Sequence, residues 1–418
     1  YYQFFSFQST MNPSDNHPLI GDENSVANRK IRNLKKLVVL LSLVLVVLIV
    51  VFGIVFIVDE SDGDDDDLPN KTNPNTIVNH GKLPAIICGW NFTLAALAGH
   101  RQMMGNGSVE IGGTSAVDAL EHAGNQCELN PNLCRWSVGF GGSPNDLGQT
   151  TLDALLMDAK TMNVGAVGSL YRVKKAISVA RKVLDHTSHS LLVGNDATDF
   201  ARLFNFTIEP NLESPHSQAL MAKWRNNSYQ PNFFVDFDPY PYKNHTLERK
   251  RSIASSSSSG VSFDSHDTLP MVAIDKNGDV ACGATTNGLT YKIHGRVGDS
   301  PIAGAGAYCD NNVGGAACTG DGDTMMRFLP SYFAVQQLRA GKTPQQAADS
   351  ALEAMQKFYP KVQGCILVLA KSGEYGAAST ANWPLIPFVT QIGAQQDTPQ
   401  QRCIGGTPEQ CLKHLHSN

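Results

Sequence analysis

A serine-rich segment runs directly into a strand at Thr268, and this junction constrains the fold more than any other feature. Around residues 240–264 the chain carries the prolines of DPYPY, a basic cluster and five consecutive serines, which is typical of a solvated, mobile linker. Immediately after Thr268, the segments MVAI and VACGATT flank an Asn-Gly turn and predict a β-hairpin. The fold must therefore hold the strand rigidly beside a segment that is free to move.

The rest of the globular part alternates predicted strands and helices. AIICGW at 85–90 and GCILVLA at 364–370 predict buried strands. Helices are predicted from the caps Thr114 and Ser115 to Gly124, within 167–186, from Pro330 to Gly341, and from Thr343 to about Tyr359. This order predicts an α+β domain of packed layers, built in two halves at 84–267 and 268–418.

A run of 22 residues without a charge, Leu37–Val58, is long enough to span a membrane. Lysines and arginines precede it and acidic residues follow it, so the N-terminus is predicted to be cytosolic and the bulk of the chain lumenal. We predict a cytosolic tail at 1–36, a single-pass type II signal anchor at 37–58 and a linker at 59–83. A long cleavable signal is the alternative.

Short motifs and cysteines bear on the compartment. DNHPLI at 15–20 resembles an acidic dileucine sorting signal, which predicts delivery to a lysosome or vacuole. The nine cysteines include three closely spaced pairs, and paired disulfides in an oxidising lumen or free buried thiols are the two interpretations. These pairs are Cys127 with Cys134, Cys309 with Cys318, and Cys403 with Cys411. Cys88 and Cys282 are predicted to be core residues.

The composition and motifs exclude several function classes. The net charge is −5 and no basic stripe appears, so no nucleic-acid partner is predicted. His186 and His189 are predicted to be surface or capping groups, and no metal set stands out. The glycine-rich stretch 294–323 lacks the third glycine and the strand–helix setting of a dinucleotide site. We therefore predict no metal and no cofactor.

A threonine hydroxyl at the start of a strand is a poor nucleophile unless a base lies beside it. If the peptide bond before Thr268 were cut, the new α-amine, with a pKa of about 8, would be that base. The mobile segment upstream and the strand downstream provide what such a cut requires.

The residues around this junction resemble the glycosylasparaginase family of N-terminal-nucleophile hydrolases. The resemblance rests on HDT at 266–268, GDVACGATTNGLTYKIHGRVGDSPIAGAGAY at 278–308, GGAACTGDGD at 314–323 and SVGFGGSPNDLGQTTLDALLMDAKTMNVGAVGSL at 137–170. It covers roughly 83–379, except the serine-rich linker. It implies a four-layer αββα sandwich, and hydrolysis of the link between N-acetylglucosamine (GlcNAc) and asparagine.

The same resemblance implies an activation step. His266, Asp267 and Thr268 match the autocleavage site, where the Asp267–Thr268 bond is cut. The products would form an α/β heterodimer, and two such heterodimers would associate.

Catalytic roles follow from the resemblance residue by residue. Thr268 matches the nucleophile, and Thr286 matches the threonine that orients it. Thr319 and Gly320 match the oxyanion hole, in which a hydroxyl and a backbone N–H face the developing charge.

Substrate-binding roles follow in the same way. Arg296 matches the arginine that holds the substrate α-carboxylate, and Asp299 matches the acceptor for the α-ammonium. Trp90 matches a tryptophan that contacts substrate, and Thr319 and Gly320 also lie at the bound amide.

Two alternatives differ in function. The plant-type L-asparaginase and isoaspartyl peptidase family shares the nucleophile chemistry and the GR-x-GD run, although HDT, TNG and KIHGRVGD favour glycosylasparaginase. A membrane-anchored pseudoenzyme is the non-enzyme alternative, and the presence of every catalytic position argues against it. The predicted membrane anchor is the largest departure from the family pattern. Others are Pro270 two residues after the nucleophile, Cys282, the longer spacing of Cys127 and Cys134, and the cysteines near the oxyanion hole, where a Cys309–Cys318 bridge or two reduced thiols are possible.

Overall fold

The computed structural model describes residues 82–105, 114–235, 237, 239–240, 268–383, 385–394, 396 and 398–417. The predicted cytosolic tail, the signal anchor and nearly all of the linker lie outside these residues, as do 241–267 with His266 and Asp267. Within the described ranges, no helix is both long enough and apolar enough to cross a bilayer.

Eight strands form the larger sheet, in the order β12-β11-β1-β5-β6-β2-β3-β4. Neighbouring strands are antiparallel, except that β3 and β4 are parallel. The strands are β1 (Ala85–Gly89), β2 (Leu152–Asp158), β3 (Asn163–Leu170), β4 (Leu191–Val193), β5 (Leu269–Ile274), β6 (Val280–Thr286), β11 (Pro387–Ile392) and β12 (Gln400–Cys403).

Four antiparallel strands form the smaller sheet, in the order β10-β9-β8-β7. They are β7 (Ala307–Asp310), β8 (Gly314–Gly320), β9 (Gly364–Ala370) and β10 (Tyr375–Ser379). The described helices are α1 (Thr93–Met104), α2 (Ala116–Leu129), α3 (Ala176–His186), α4 (Gly194–Leu203), α5 (Pro215–Asn226), α6 (Gly322–Met325), α7 (Pro330–Arg339), α8 (Pro344–Gln356) and α9 (Pro408–Ser417).

The sheets pack face to face, and helices cover both outer surfaces. Strands β5 and β6 lie against β7, β8 and β9, while α1, α2 and α3 pack on the larger sheet and α7 and α8 on the smaller one. Alternation along β8 divides its side chains, because Ala317 joins the core between the sheets and Cys318 joins the core under α7 and α8. The predicted α+β sandwich of four layers is confirmed.

Several predicted elements are confirmed with close boundaries. The hairpin at the Asn-Gly turn forms β5 and β6, and the predicted strands at 85–90 and 364–370 form β1 and β9. The Pro330 and Thr343 helices form α7 and α8. Thr343 caps α8 by accepting a hydrogen bond from the backbone of Gln346.

Two helix predictions were wrong in extent. The helix predicted within 167–186 covers only Ala176–His186, because Val167–Leu170 complete β3. The helix after Ser115 continues past Gly124 to Leu129. A Cβ on Gly124 would lie 2.6 Å from Cδ1 of Ile177, so this glycine permits close packing of α2 on α3 and does not end the helix.

Pro270 is the second residue of β5, a strand that is paired on both sides. The pairing with β1 ends at Cys88 and Met271, so the ring lies just beyond that ladder. A Cβ on Gly89 would lie 2.6 Å from the Pro270 ring, so the lack of a side chain at Gly89 leaves room for the ring. The proline thus stands at a strand start, as expected.

Two of the three predicted cysteine pairs are bonded. Cys127 is joined to Cys134 and Cys403 to Cys411. The possible Cys309–Cys318 bridge was wrong, because Cys309 lies between the sheets and Cys318 lies on the opposite face, under the helices. Cys88 and Cys282 are buried, as predicted.

Glu128 is a buried carboxyl group near the C-terminus of α2. It accepts hydrogen bonds from the backbone N–H of Ile177, in the first turn of α3, and from the hydroxyl of Thr285 on β6. Burial raises the pKa of Glu128 to about 8, although these donors act in the opposite direction. One carboxyl group therefore accepts a hydrogen bond from a backbone N–H in the first turn of α3 and links α2 and α3 to β6.

This pKa predicts a pH-dependent cost in stability. Above pH ~4.5 Glu128 ionises in the unfolded chain but stays protonated in the fold, so its contribution is complete below ~4.5 and is lost as the pH rises to about 8. At ~1.4 kcal/mol per pH unit, the free energy of unfolding of Glu128→Gln should rise relative to that of wild type by on the order of 3 kcal/mol as the pH goes from 5 to 7.5. Urea unfolding at the two pH values measures this. The exposed Glu353→Gln should follow wild type, and a gain that is equal at both pH values would contradict the assignment.

Candidate active site

Three polar side chains stand in a row across the centre of the larger sheet. Leu269 pairs with Thr285, so Thr268, directly before β5, stands opposite Thr286 at the end of β6. Thr286 in turn pairs with Asp153 on β2. Residues opposite each other in an antiparallel ladder project from the same face, so all three side chains face the same way.

This row opens into a small pocket. Its lining includes five of the predicted site residues, namely Thr268, Thr286, Arg296, Asp299 and Gly320. Asp153, Gly288, Leu289, Gly298 and Ser300 complete the lining. The structure therefore brings most of the predicted site together, although these residues span 168 positions of the chain from 153 to 320.

The Thr268 hydroxyl is buried and close to the hydroxyl of Ser300. Only 5% of Thr268 is exposed, and its Oγ1 lies 3.3 Å from Oγ of Ser300. The Thr286 hydroxyl accepts a hydrogen bond of 2.9 Å from the backbone N–H of Gly288, which leaves its own hydrogen free to point elsewhere. Both hydroxyl groups thus contact polar groups of the segment that follows β6.

Trp90 follows β1 and contacts the candidate nucleophile through the main chain. Its indole N–H donates a 3.0 Å hydrogen bond to the carbonyl oxygen of Thr268. The ring packs edge-on against Trp383. The backbone of Trp90 has a φ of 59°, a left-handed conformation that residues other than glycine seldom adopt. In the described structure this tryptophan braces the start of β5, and its predicted contact with substrate stays a prediction.

Arg296 and Asp299 form the charged end of the pocket. Nε and Nη2 of Arg296 donate to Oδ2 of Asp323 at 3.1 and 2.7 Å. A Cβ on Gly322 would lie 2.7 Å from Oδ1 of Asp299 and 2.9 Å from Nη2 of Arg296. The glycine at 322 therefore lets both charged groups lie against the backbone.

Asp299 is a buried acid without a complete set of partners. Its Oδ2 has no hydrogen-bond partner among the described residues. Burial raises the pKa of Asp299 to about 7, while the nearby Arg296 lowers it. Such a carboxylate is suited to accept from a cationic ligand, which would both pair its charge and satisfy the open oxygen.

Thr319 and Gly320 end β8 beside the pocket, and Thr319 is fully buried. Gly320 has a φ of 146°, and a Cβ there would lie 2.4 Å from the carbonyl oxygen of Gln363. Only glycine fits this backbone, so the sequence dictates how the strand ends at the pocket.

Three polar or charged side chains in or beside the pocket were missed in the sequence. Ser300 directly follows Asp299, and Asp153 lies in the TTLDALL segment that forms β2. Lys292 is buried and donates from Nζ to the carbonyl oxygen of Asn287 at 2.7 Å. Burial lowers the pKa of Lys292, and Asp153 acts against that shift. Alternation along a strand leading to the site would have identified Asp153, but nothing marked Lys292.

The candidate site contains no arrangement typical of a metal centre. Across the residues that the structure describes, no three His, Cys, Asp or Glu side chains are grouped to bind a metal ion.

A buried threonine before a central strand lines one pocket with an arginine, an aspartate and a strand-end glycine, an arrangement suited to a hydrolase of layered α+β fold. The family model described as asparaginase matches residues 101–396, and the chain belongs to this family.

Curated relatives cover most of the chain. It is 46% identical over 316 residues to the N(4)-(beta-N-acetylglucosaminyl)-L-asparaginase of Rattus norvegicus, covering 74% of this chain and 87% of the rat protein. Identity to the protein of that name in Mus musculus is 45% over 314 residues, covering 74% and 87%. A putative N(4)-(beta-N-acetylglucosaminyl)-L-asparaginase of Drosophila melanogaster is 41% identical over 336 residues, covering 78% and 84%.

The strand end at Gly320 predicts a steric cost that a matched glycine isolates. Gly341 also has a positive φ, of 80°, but a Cβ there would meet nothing within 4 Å. Gly341→Ala should cost about 1 kcal/mol from backbone strain, whereas Gly320→Ala adds the clash with Gln363 and should cost at least about 3 kcal/mol. Denaturant unfolding of both variants measures the difference. Equal losses would contradict the described end of β8.

Proposed function

We propose that this chain is an amidohydrolase that cleaves the bond between GlcNAc and the side-chain amide of asparagine, as glycoproteins are degraded. The observation that carries the proposal is the pocket that joins the Thr268 hydroxyl to Arg296, Asp299 and Gly320. Identity of 46% to a rat protein named for this reaction supports it.

Activation requires that the chain be cut before Thr268. In the intact chain the nitrogen of Thr268 belongs to the peptide bond with Asp267 and cannot accept a proton. We propose that the chain cleaves this bond itself and so frees an α-amine with a pKa near 8. The amine is then fixed beside the hydroxyl and serves as its general base.

The two charged residues bind the amino-acid end of the substrate. Arg296 pairs with the α-carboxylate through its guanidinium, and Asp299 accepts hydrogen bonds from the α-ammonium at the oxygen that lacks a partner. The side-chain amide carbonyl of the substrate then lies near Thr268, because all three residues line one pocket.

Catalysis proceeds through an ester. The Thr268 α-amine takes the hydroxyl proton as Oγ1 attacks the amide carbon, and the Thr319 hydroxyl with the Gly320 N–H stabilises the oxyanion. The ammonium returns its proton to the departing glycosylamine, which leaves an aspartyl ester on Thr268. Water, deprotonated by the same amine, attacks the ester and releases aspartate. Thr286 orients the nucleophile during both steps.

The alternative reaction uses the same pocket. A β-aspartyl peptide presents the same α-carboxylate, α-ammonium and carbonyl, so isoaspartyl peptidase or L-asparaginase activity fits the groups that bind aspartate. The two functions differ on the leaving-group side, where GlcNAc replaces an amine or ammonia. A pseudoenzyme is disfavoured because every proposed catalytic group is present.

We further propose a lumenal setting and a two-chain product. The disulfides Cys127–Cys134 and Cys403–Cys411 support an oxidising compartment, and a lysosome or vacuole follows from the sorting motif. The segment 37–58 would serve as the membrane anchor or as a cleaved signal. After the cut, residues up to 267 and from 268 would form the α/β heterodimer, and heterodimers would pair.

Substitution of the nucleophile tests both activation and catalysis. Wild type should yield a second polypeptide that begins at Thr268, seen by intact mass. Thr268→Ala removes the hydroxyl, so it should stay uncut and lose at least about 10³-fold in GlcNAc-asparagine hydrolysis. Thr268→Ser keeps a hydroxyl and should still be cut. The exposed Thr161→Ala is the control. An uncut, active wild type would refute the mechanism, and faster turnover of an isoaspartyl dipeptide would assign the sister activity.

Asp153 provides a second test. Its Oδ1 accepts from the backbone of Ser169, while Oδ2 has no partner in the described structure and the residue lines the pocket near Lys292. Asp153→Asn keeps the shape but removes the charge that offsets the buried cation, so kcat/KM should fall about 10-fold or more. Asp158→Asn, on the same strand outside the pocket lining, should stay within about twofold. Equal activity of the two variants would exclude a role for the Asp153 charge.

A further inference from the structure

Two cysteines outside the described disulfides meet between the sheets. Cys282 lies in β6 and Cys309 in β7, both are completely buried, and their sulfur atoms are 2.8 Å apart. Two sulfur atoms that are not bonded pack farther apart than this, whereas a disulfide brings them closer still. The contact joins the larger sheet to the smaller one.

The alternation of the strands explains why these side chains face each other. Cys282 precedes Thr286 by four positions on β6, so both project from the same face. Cys309 pairs with Gly315, which precedes Thr319 by four positions on β8. The two cysteines therefore lie in the same layer between the sheets as the candidate site, nearer the middle of the strands.

We propose that Cys282 and Cys309 form a third disulfide, which cross-links the two sheets behind the candidate site. The two bonded pairs already indicate that the chain folds where disulfides form. The remaining thiols lie elsewhere: Cys318 contacts the hydroxyl of Ser331 on the outer side of the smaller sheet.

The oxidation uses a disulfide of the lumen, either glutathione disulfide or the disulfide of an oxidoreductase. One cysteine thiolate attacks that donor, forming a mixed disulfide and releasing one donor thiol. The second cysteine thiolate attacks the cysteine sulfur of the mixed disulfide and releases the other donor thiol. Two protons leave the cysteines, and the donor disulfide takes up their two electrons.

The order of folding and oxidation follows from burial. Attack requires a thiolate, and burial raises the pKa of Cys282 well above its ordinary value. The bond therefore forms before the sheets close on each other. Once they have closed, the same burial shields the bond from external thiols.

The cross-link has a mechanical consequence for the site. Strand β6 carries Thr286 at its end, and β7 leads through a tight turn into β8, which carries Thr319 and Gly320. A bond between β6 and β7 fixes the separation of the strands that hold the nucleophile's partner and the oxyanion hole.

Thiol counting on the wild-type protein tests the proposal without any substitution. The protein is denatured and alkylated with iodoacetamide, without reduction, and weighed. Three alkylated cysteines, Cys88, Cys318 and Cys365, are expected instead of the five that lie outside the two described disulfides. Digestion without reduction should yield one peptide pair that contains Cys282 and Cys309 and that separates on reduction. Five alkylated cysteines, with Cys282 and Cys309 among them, would overturn the proposal.

Variants give an independent readout. Cys282→Ala/Cys309→Ala removes a cross-link that spans 27 positions, so its Tm should fall by about 5 °C relative to wild type. Full reduction before the scan should lower the Tm of wild type more than that of the double variant, because only wild type has this bond to lose. Cys365→Ala, a buried thiol outside the pair, is the control and should keep the full sensitivity to reduction. Equal sensitivity of wild type and the double variant would also overturn the proposal.

Discussion

The pairing of β5 on both of its edges is the constraint on which the site depends. Backbone hydrogen bonds to β1 and β6 hold Leu269–Ile274 in the middle of an eight-stranded sheet, so the position of Thr268 does not require a covalent neighbour on its N-terminal side. The indole of Trp90 adds a hydrogen bond to the carbonyl oxygen of Thr268 itself. A central strand is the most strongly held part of a sheet. A cut directly before such a strand can therefore free an amine without moving the hydroxyl beside it.

The charged groups of the pocket impose a second constraint, because burying ions is costly unless they are paired. Arg296 is paired with Asp323 on α6, and Lys292 lies near Asp153 on β2, so the two cations are offset by acids from two different elements. The compensation is incomplete, since one oxygen each of Asp153 and Asp299 lacks a partner in the described structure. A ligand that carries both an ammonium and a carboxylate complements such a pocket better than water does. Under the proposed function, this arrangement would account for recognition of the aspartyl end, and selectivity for GlcNAc would depend on the opposite side.

Local sequence signals predicted the parts of the fold that depend on neighbouring residues. The Asn-Gly turn gave the β5–β6 hairpin, and Thr343 gave the start of α8. These signals failed where packing between distant residues decides the outcome. The sequence suggests a helix end at Gly124, but Gly124 lies inside α2, where the side chain of Ile177 occupies the space that a Cβ would need. The same holds for Lys292, whose position beside the site follows from burial. The resemblance located Thr268 and its partners, but only the register across β2, β5 and β6 explains why they meet.

The raised pKa values connect the site to the pH of the proposed compartment. Burial raises the pKa of Glu128 to about 8 and that of Asp299 to about 7. Both contributions to stability are complete below the unfolded pKa values and are lost as the pH rises toward 8 and 7, so the ligand-free fold gains from acidity at both positions. Asp299 must nevertheless be ionised to accept an ammonium. In the proposed complex the substrate ammonium would resolve this conflict, because a cation beside the carboxylate lowers the pKa of Asp299 and favours loss of its proton. Under the proposed function, binding in an acidic lumen would be coupled to the release of a proton from Asp299, whereas Glu128, which does not line the pocket, would keep its proton and its hydrogen bond to α3.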